Sequence, residues 1–146
     1  MKVQNMAGHL IRRLNQASTH IFAKRMQETG VDLTPVQFAA MDAIASYPGI
    51  DQAGVAARIA YDRATIGGVI DRLEQKGYVR RSVSTRDRRA REVHLTDQGL
   101  ALFQDVLPLV EHMQDEMLET LTGEERSAFL SLARKALGKA ATDDAS

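Results

Sequence analysis

The sequence predicts a mostly α-helical protein with one small β-hairpin, an α+β chain in which a compact middle is flanked by helical arms. Three observations lead there. Apolar residues recur at helical spacing through most of the 146 residues. The pattern turns to β-favouring residues only once, after Gly77. The stretch RRSVSTRDRRAREVHLT, residues 80–96, packs six arginines into seventeen positions of a chain whose net charge is zero.

The first helix is expected over GHLIRRLNQASTHIFAKRMQETG, where Leu10, Leu14, Ala17 and Ile21 share a stripe beside Ile11, Phe22 and Met26, with Gly30 as the stop. Thr34-Pro35-Val36-Gln37 then reads as a helix start: threonine caps, proline takes the first turn and glutamine reaches back. That helix should end near Ser46, before Tyr47-Pro48-Gly49. Two short helices follow across a tight junction, QAGVAARIA capped by Asp51 and RATIGGVIDRLEQK capped by Asp62. Val55, Ile59, Ile66, Val69, Ile70 and Leu73 supply the faces that hold this pair together. Past Gly77, Tyr78-Val79 opens one strand and Glu92-Val93-His94-Leu95 forms another, leaving the arginines on the loop between.

A long helix begins after Thr96, with one apolar stripe through Leu102, Val106, Leu109, Met113 and Met117 and a second through Phe103, Leu107, Val110 and Leu121. So wide a band must be covered on more than one side, and Pro108 should bend it. Thr122-Gly123-Glu124-Glu125 starts the last helix as a capping box, running through Phe129, Leu130 and Leu137 to a frayed tail at residues 139–146.

Composition narrows the function classes. With no cysteine there are no disulfides, thiolate metal sites or cysteine nucleophiles. MKVQNMAGHLIRR has no hydrophobic segment ahead of a cleavage site, and no apolar run has membrane length, so a soluble, cytoplasmic protein is expected. The four histidines, His9, His20, His94 and His112, offer no better ligand pair than His112 with Glu116, and no HExxH, GxSxG or GxxxxGK[ST] is present. No metal, no cofactor and no enzyme activity is therefore expected.

Charge points elsewhere. From Ala53 to Thr96 ten Lys/Arg stand against five Asp/Glu, while the remainder carries nine against fourteen. A solvated basic face is the bland reading, and an anionic partner for the middle alone is the sharper one. Helix, helix and hairpin in this order make a winged helix-turn-helix, and the order accounts for the arginines. The helix from Arg63 to Lys76 would enter a DNA major groove while the hairpin carries Arg86, Arg88, Arg89 and Arg91 to phosphates or the minor groove. Asp87 suits such a loop only if it pairs with a neighbour and stiffens the tip.

The same residues carry a family resemblance. DRLEQKGYVR at Asp71 to Arg80, DRR at Asp87 to Arg89 and LTDQG at Leu95 to Gly99 closely resemble three spaced elements of the MarR family of bacterial transcription regulators. The flanking helices resemble that family's arrangement too, so the likeness extends over nearly the whole chain. It implies one domain, with a winged-helix lobe at about residues 34–96 and a dimerisation region at about 6–30 and 97–138. It also implies a homodimer on a pseudo-palindromic operator, a repressor released by a small anionic aromatic effector. Residues assigned to the dimer contact are Leu10, Leu14, Val106, Leu109, Met113 and Leu130. An apolar helix too wide for so small a chain to cover agrees with such pairing.

Residue by residue, Arg63, Thr65, Gly68, Arg72, Arg86, Arg88 and Arg89 are the DNA-contact candidates. The Thr65 hydroxyl could instead bond Asp62, and Arg72 could be an internal ion-pair residue. Gly67-Gly68 in mid-helix costs about 1 kcal/mol per glycine relative to alanine, so either DNA or a neighbouring helix should approach there. His9, Arg13, Gln16 and His20 fall on one strip of the first helix, with Arg12 adjacent. MarR-like proteins often bind aromatic carboxylates between dimerisation helices and lobe, which would make His9, Arg12 and Arg13 anchors and Phe38 and Met41 a cover for the ring. A solvated face is the alternative for that strip. From other classes, a winged-helix protein-interaction adaptor would need no basic wing, and an enzyme would need a catalytic group that the sequence does not offer.

Overall fold

A computed structural model describes residues 1–138; the tail expected to fray lies outside the described residues. After a 3-10 turn at Lys2–Asn5 come α1 (Ala7–Thr29), α2 (Pro35–Ser46), α3 (Gln52–Arg58), α4 (Ile66–Gln75), β1 (Val79–Val83), β2 (Arg91–Leu95), α5 (Asp97–Met117) and α6 (Gly123–Leu137). This is the expected order, a mostly α fold with one hairpin. Most helix ends are where the sequence places them because the capping groups act locally. Gly30 closes α1 in the left-handed region at φ 71°. Thr34 and Gln37 exchange hydrogen bonds of 3.2 Å each at the start of α2, and Asp51 accepts the Gly54 amide at 2.7 Å to start α3.

The start of α4 differs from expectation. Asp62 accepts the Ala64 amide at 2.8 Å, and the Thr65 hydroxyl donates back to the Asp62 carbonyl at 3.1 Å. Those bonds wind Arg63 to Thr65 into a turn, so the regular helix begins at Ile66 rather than at Arg63. The alternative for Thr65 is therefore realised, through the Asp62 main chain.

β1 and β2 pair antiparallel, from Val79 opposite Leu95 to Val83 opposite Arg91. A bridge from Asp51 to Glu92, with the Val93 amide donating to the Ile50 carbonyl at 2.9 Å, ties β2 to the α2–α3 loop. The hairpin is anchored to the lobe by main chain on both sides, by α4 before it and by this bridge beneath it.

A single core runs through lobe and arms. Met41, Val55, Ile66, Ile70, Leu73, Val79 and Val93 form its lobe side, and Phe22, Met26, Phe103, Val106 and Met113 join it from α1 and α5. Phe38 stands between them, its ring 5.5 Å from that of Phe103 in a stack and 6.4 Å from that of Phe22 in a tilted pair. Two expectations are corrected here. Met41 is fully buried and so is not free to cover a ligand ring, whereas Phe38 is only partly buried between two other phenyl rings. Val106 and Met113, each 1% exposed, belong to the chain's own core and not to a surface that a partner could cover. The inner stripe of α5 is used up against α1 and the lobe. What remains open is Leu10, Ile11 and Leu14 on α1, Leu100 and Leu109 on α5, and Leu130, Leu132 and Leu137 on α6.

The α1–α5 contact is also pinned by charge. Arg25 holds Glu116 in a two-pronged pair at 3.0 and 2.6 Å and donates to Glu28 at 2.8 Å. The hydrogen bonds from Arg25 keep the Glu116 carboxyl below the usual carboxylate range, and those bonds raise the guanidinium in turn. Glu116 is thereby engaged with Arg25, and no cluster of three metal-ligating side chains occurs among the described residues. No helix among them is long and apolar enough to cross a membrane.

Between hairpin and arm lies a tight junction. The Thr96 hydroxyl donates to the Gly77 carbonyl at 2.6 Å and accepts the Gly99 amide at 3.0 Å, while the Thr96 amide bonds the Tyr78 carbonyl at 3.1 Å. A Cβ on Gly99 would stand 1.9 Å from the Tyr78 carbonyl oxygen, a backbone atom with nowhere to go. Gly99→Ala is therefore expected to destabilise the fold by about 1–3 kcal/mol or more, seen as a lower denaturant midpoint at unchanged slope.

Candidate nucleic-acid interface

Burying Ile66, Val69, Ile70 and Leu73 leaves α4 an outward strip of Gly68, Asp71, Arg72 and Gln75, with Glu74 exposed on its flank, continued backward by Thr65 and Arg63 of the preceding turn. The strip is narrow and mostly polar. At Gly68 an added Cβ would meet nothing within 4 Å, so no neighbouring helix requires a glycine there; at Gly67 it would come within 3.3 Å of the Gln52 side-chain nitrogen. Of the two explanations for the glycine pair, packing applies to Gly67 at most.

The wing loop is wound tightly by two side chains. Ser84 is buried, and its hydroxyl accepts the Arg86 and Asp87 amides at 3.1 and 3.3 Å. Asp87 accepts the Arg89 amide at 2.9 Å. The aspartate thus stiffens the tip as expected, but through the main chain and not through a guanidinium. Arg86, Arg88 and Arg89 are all exposed and form no ion pair among the described residues. Arg63 and Arg89 line opposite sides of a cleft of about 400 Å³ between the α3–α4 region and the wing, with Arg91, Gln52 and Asp51. The structure therefore brings Arg63 of the turn before α4 and Arg89 and Arg91 of the wing onto one cleft, whose wall also carries Asp51 and Asp87.

Arg72 is exposed and unpaired among the described ion pairs. The internal ion-pair residue is Arg81 instead, which sequence reading missed. From β1 its guanidinium reaches the Asp71 carboxylate and the Gly67 carbonyl, the latter at 3.1 Å. The signal was present, since Arg81 has the same parity as inward-facing Val79 in a strand that folds straight back on α4.

The effector candidates do not converge within one chain. His9, Arg12 and Arg13 lie near the N-terminus of α1, where Arg12 is 3.3 Å from the His9 ring nitrogen. Phe38 touches α1 at Phe22, nine residues after Arg13. That separation is about 13 Å along the helix axis.

A two-stranded wing beside a helix with an exposed polar strip, in a helix-turn-helix lobe, defines a winged-helix DNA-binding protein. The MarR family model matches residues 33–90. The transcriptional regulator HosA of Escherichia coli is 36% identical over 135 residues, 92% of this chain and 97% of that protein. The transcriptional repressor NicR of Pseudomonas putida is 34% identical over 91% of this chain and 83% of its own length. Among solved structures, Bordetella bronchiseptica BpsR, described for the regulation of its DNA binding by 6-hydroxynicotinic acid, superposes with a TM-score of 0.85 at 31% identity, covering 92% of this chain and 94% of that one. The chain belongs to the MarR family and is a DNA-binding transcription regulator.

Gly68→Ala separates fold from function on the exposed strip. The substitution should stabilise the protein by about 1 kcal/mol through helix propensity, yet weaken duplex binding, because the added methyl projects from the strip. Parallel thermal unfolding and anisotropy titrations check both signs.

Proposed function

We propose that this protein is a repressor that binds a pseudo-palindromic operator as a homodimer and is released by a small aromatic acid. It acts in the cytoplasm, by binding and not by catalysis. The observation that carries the reading is the cleft where Arg63, before α4, faces Arg89 and Arg91 of the wing, flanked by the exposed Gly68 and Arg72 of α4 and by wing arginines Arg86 and Arg88, which form no ion pair among the described residues; Thr65 precedes that strip. Exposed wing arginines with no ion-pair partner among the described residues suit phosphates or a narrow minor groove, and the strip of α4 suits base edges in the major groove. Residues 34–96 serve as the DNA-binding lobe.

Pairing is supported by the apolar surface left on the arms. Leu10, Leu14, Leu109 and Leu130 are each at least 39% exposed, and Leu14 and Leu130 share with Phe129 and Met117 a groove of about 290 Å³ between α1, α5 and α6. Two lobes joined by that region can address half-sites about 34 Å apart. The repressor sense and the aromatic acid rest on the relatives: NicR is named a repressor, and BpsR is described with 6-hydroxynicotinic acid. Here the anionic group would be anchored by Arg13, with Arg12 and His9, on the α1 segment that also exposes Leu10 and Leu14.

Replacing Arg88 and Arg89 with alanine should weaken binding to every duplex and lower the slope of log affinity against log salt by about 2, with the unfolding midpoint unchanged. An unaltered slope would rule out the wing as a phosphate contact.

An effector acts only by preferring one lobe spacing to the other, so it must bind more weakly to the DNA complex by the factor with which it weakens DNA binding. Hydroxylated aromatic carboxylates titrated calorimetrically with and without duplex should show that equality. Arg13→Ala should weaken the acid while sparing DNA affinity measured in its absence; equal acid affinity in Arg13→Ala, Arg12→Ala and the unmodified protein would remove the anchor.

A further inference from the structure

The exposed strip of α4 contains an acid. Asp71 stands between Gly68 and Gln75 beside Arg72, with 57% of its side chain exposed, on the face that the proposed function turns toward a polyanion. An unpaired carboxylate there would repel phosphates. It is not unpaired, because Arg81 holds it from behind. One guanidinium nitrogen, Nη2, donates both to the Asp71 carboxylate and to the Gly67 carbonyl one turn earlier, and the Arg81 side chain is 19% exposed against the 57% of its partner. The cation is thus the covered member of the pair, seated between strand and helix and not on the DNA-facing surface.

Local structure explains how it gets there. Gly77, at φ 81°, turns the chain sharply from α4 into β1, so β1 runs back against the helix that precedes it. Val79 and Arg81 occupy the same face of β1, and Val79 is in the core. Arg81 is therefore directed at α4 by the same pleat that buries Val79, while its strand neighbour Arg80 is exposed. Among the described residues only Nη2 of this guanidinium finds an acceptor, and the Arg81 Nε is buried without a partner there. The guanidinium accepts that cost at this one position, where it neutralises an acid and grips a helix carbonyl together.

We propose that Arg81 is a positioning residue for DNA recognition: it masks the charge of Asp71 on the recognition helix and fixes the wing strand to that helix, without itself contacting DNA. The proposal rests on the DNA-binding reading above. It predicts a pattern of variants that a phosphate-contacting arginine would not give. Loss of Arg81 alone exposes an extra negative charge, whereas loss of both partners leaves the net charge as it is in the intact pair.

The test is a double-mutant cycle of Arg81→Ala and Asp71→Asn, read by fluorescence anisotropy. It uses a duplex selected by the unmodified protein from a random-sequence pool and a random duplex of equal length, each across a salt series. Binding by the unmodified protein comes first; failure to bind either duplex sinks the DNA-binding reading itself and the proposal with it. Given that binding, Arg81→Ala should lose affinity for both duplexes by about tenfold and reduce the salt slope by about 1. Asp71→Asn in the Arg81→Ala background should recover most of both losses. If the double variant stays as weak as Arg81→Ala, masking of Asp71 is not what Arg81 contributes and the proposal is overturned; unchanged affinity in Arg81→Ala overturns it as well. Should Arg81→Ala not fold, Arg81→Gln, which keeps a donor for the Gly67 carbonyl without the charge, replaces it in the same cycle and is judged by the same outcomes.

Discussion

Burial of one face of α4 is the constraint on which the rest depends. Ile66, Ile70 and Leu73 are at most 1% exposed, locked against Met41 of α2, Val55 of α3 and Val79 and Val93 of the hairpin. A helix of ten residues contributes little stability alone and takes its orientation from the face it buries. Once that face is fixed, the opposite strip is fixed too, and side-chain identity along it becomes a matter of recognition. The wing inherits its position from the same contact, since β1 leaves α4 through Gly77 and β2 is bridged to the α2–α3 loop at Asp51.

The arms are not an independent module hung on this lobe. Phe22 and Met26 of α1 and Phe103, Val106 and Met113 of α5 lie in the same core as the lobe, with Phe38 as the shared aromatic contact. At the Thr96 and Gly99 junction the Thr96 hydroxyl bonds the main chain at Gly77 and Gly99, and the Thr96 amide bonds the Tyr78 carbonyl, within a few residues of the wing. A shift of α5 relative to α1 must therefore pass into the lobe through close-packed rings and a glycine that tolerates no side chain, and packed cores transmit such shifts instead of absorbing them. That connection gives a ligand on the arms a physical route to the spacing of two lobes, in keeping with the proposed function.

Much of this was legible in the sequence because the signals are local. Caps at Thr34, Asp51 and Thr122 act over three residues, and each appears as expected; Thr96 caps α5 in the same way. Gly30 and the switch of period after Gly77 are equally short-range. What failed was long-range. Val106 and Met113 share an apolar stripe with Leu109, but a periodicity cannot tell whether a stripe meets the chain's own α1 or a second copy. Chemical type and family resemblance group Phe38 and Met41 with the arginine strip, but within one chain the path of α1 holds that strip away from Phe38. Arg81 was overlooked beside five other arginines because its distinction is parity in a strand and proximity to Asp71, neither of which composition reveals.

The two ends of the wing handle charge in opposite ways. At the tip, Asp87 and Ser84 spend their hydrogen bonds on backbone amides, which leaves Arg86, Arg88 and Arg89 unneutralised and exposed. At the base, Arg81 spends its charge on an acid of the neighbouring helix and is mostly covered. A pair with one partner mostly covered is screened less by salt than exposed charges are, so the base keeps its geometry at ionic strengths where the field of the tip has faded. Rigid attachment and long-range attraction are thus assigned to different arginines of one short hairpin. A net count of zero over the whole chain hides that division, which is visible only when each guanidinium is traced to what it touches.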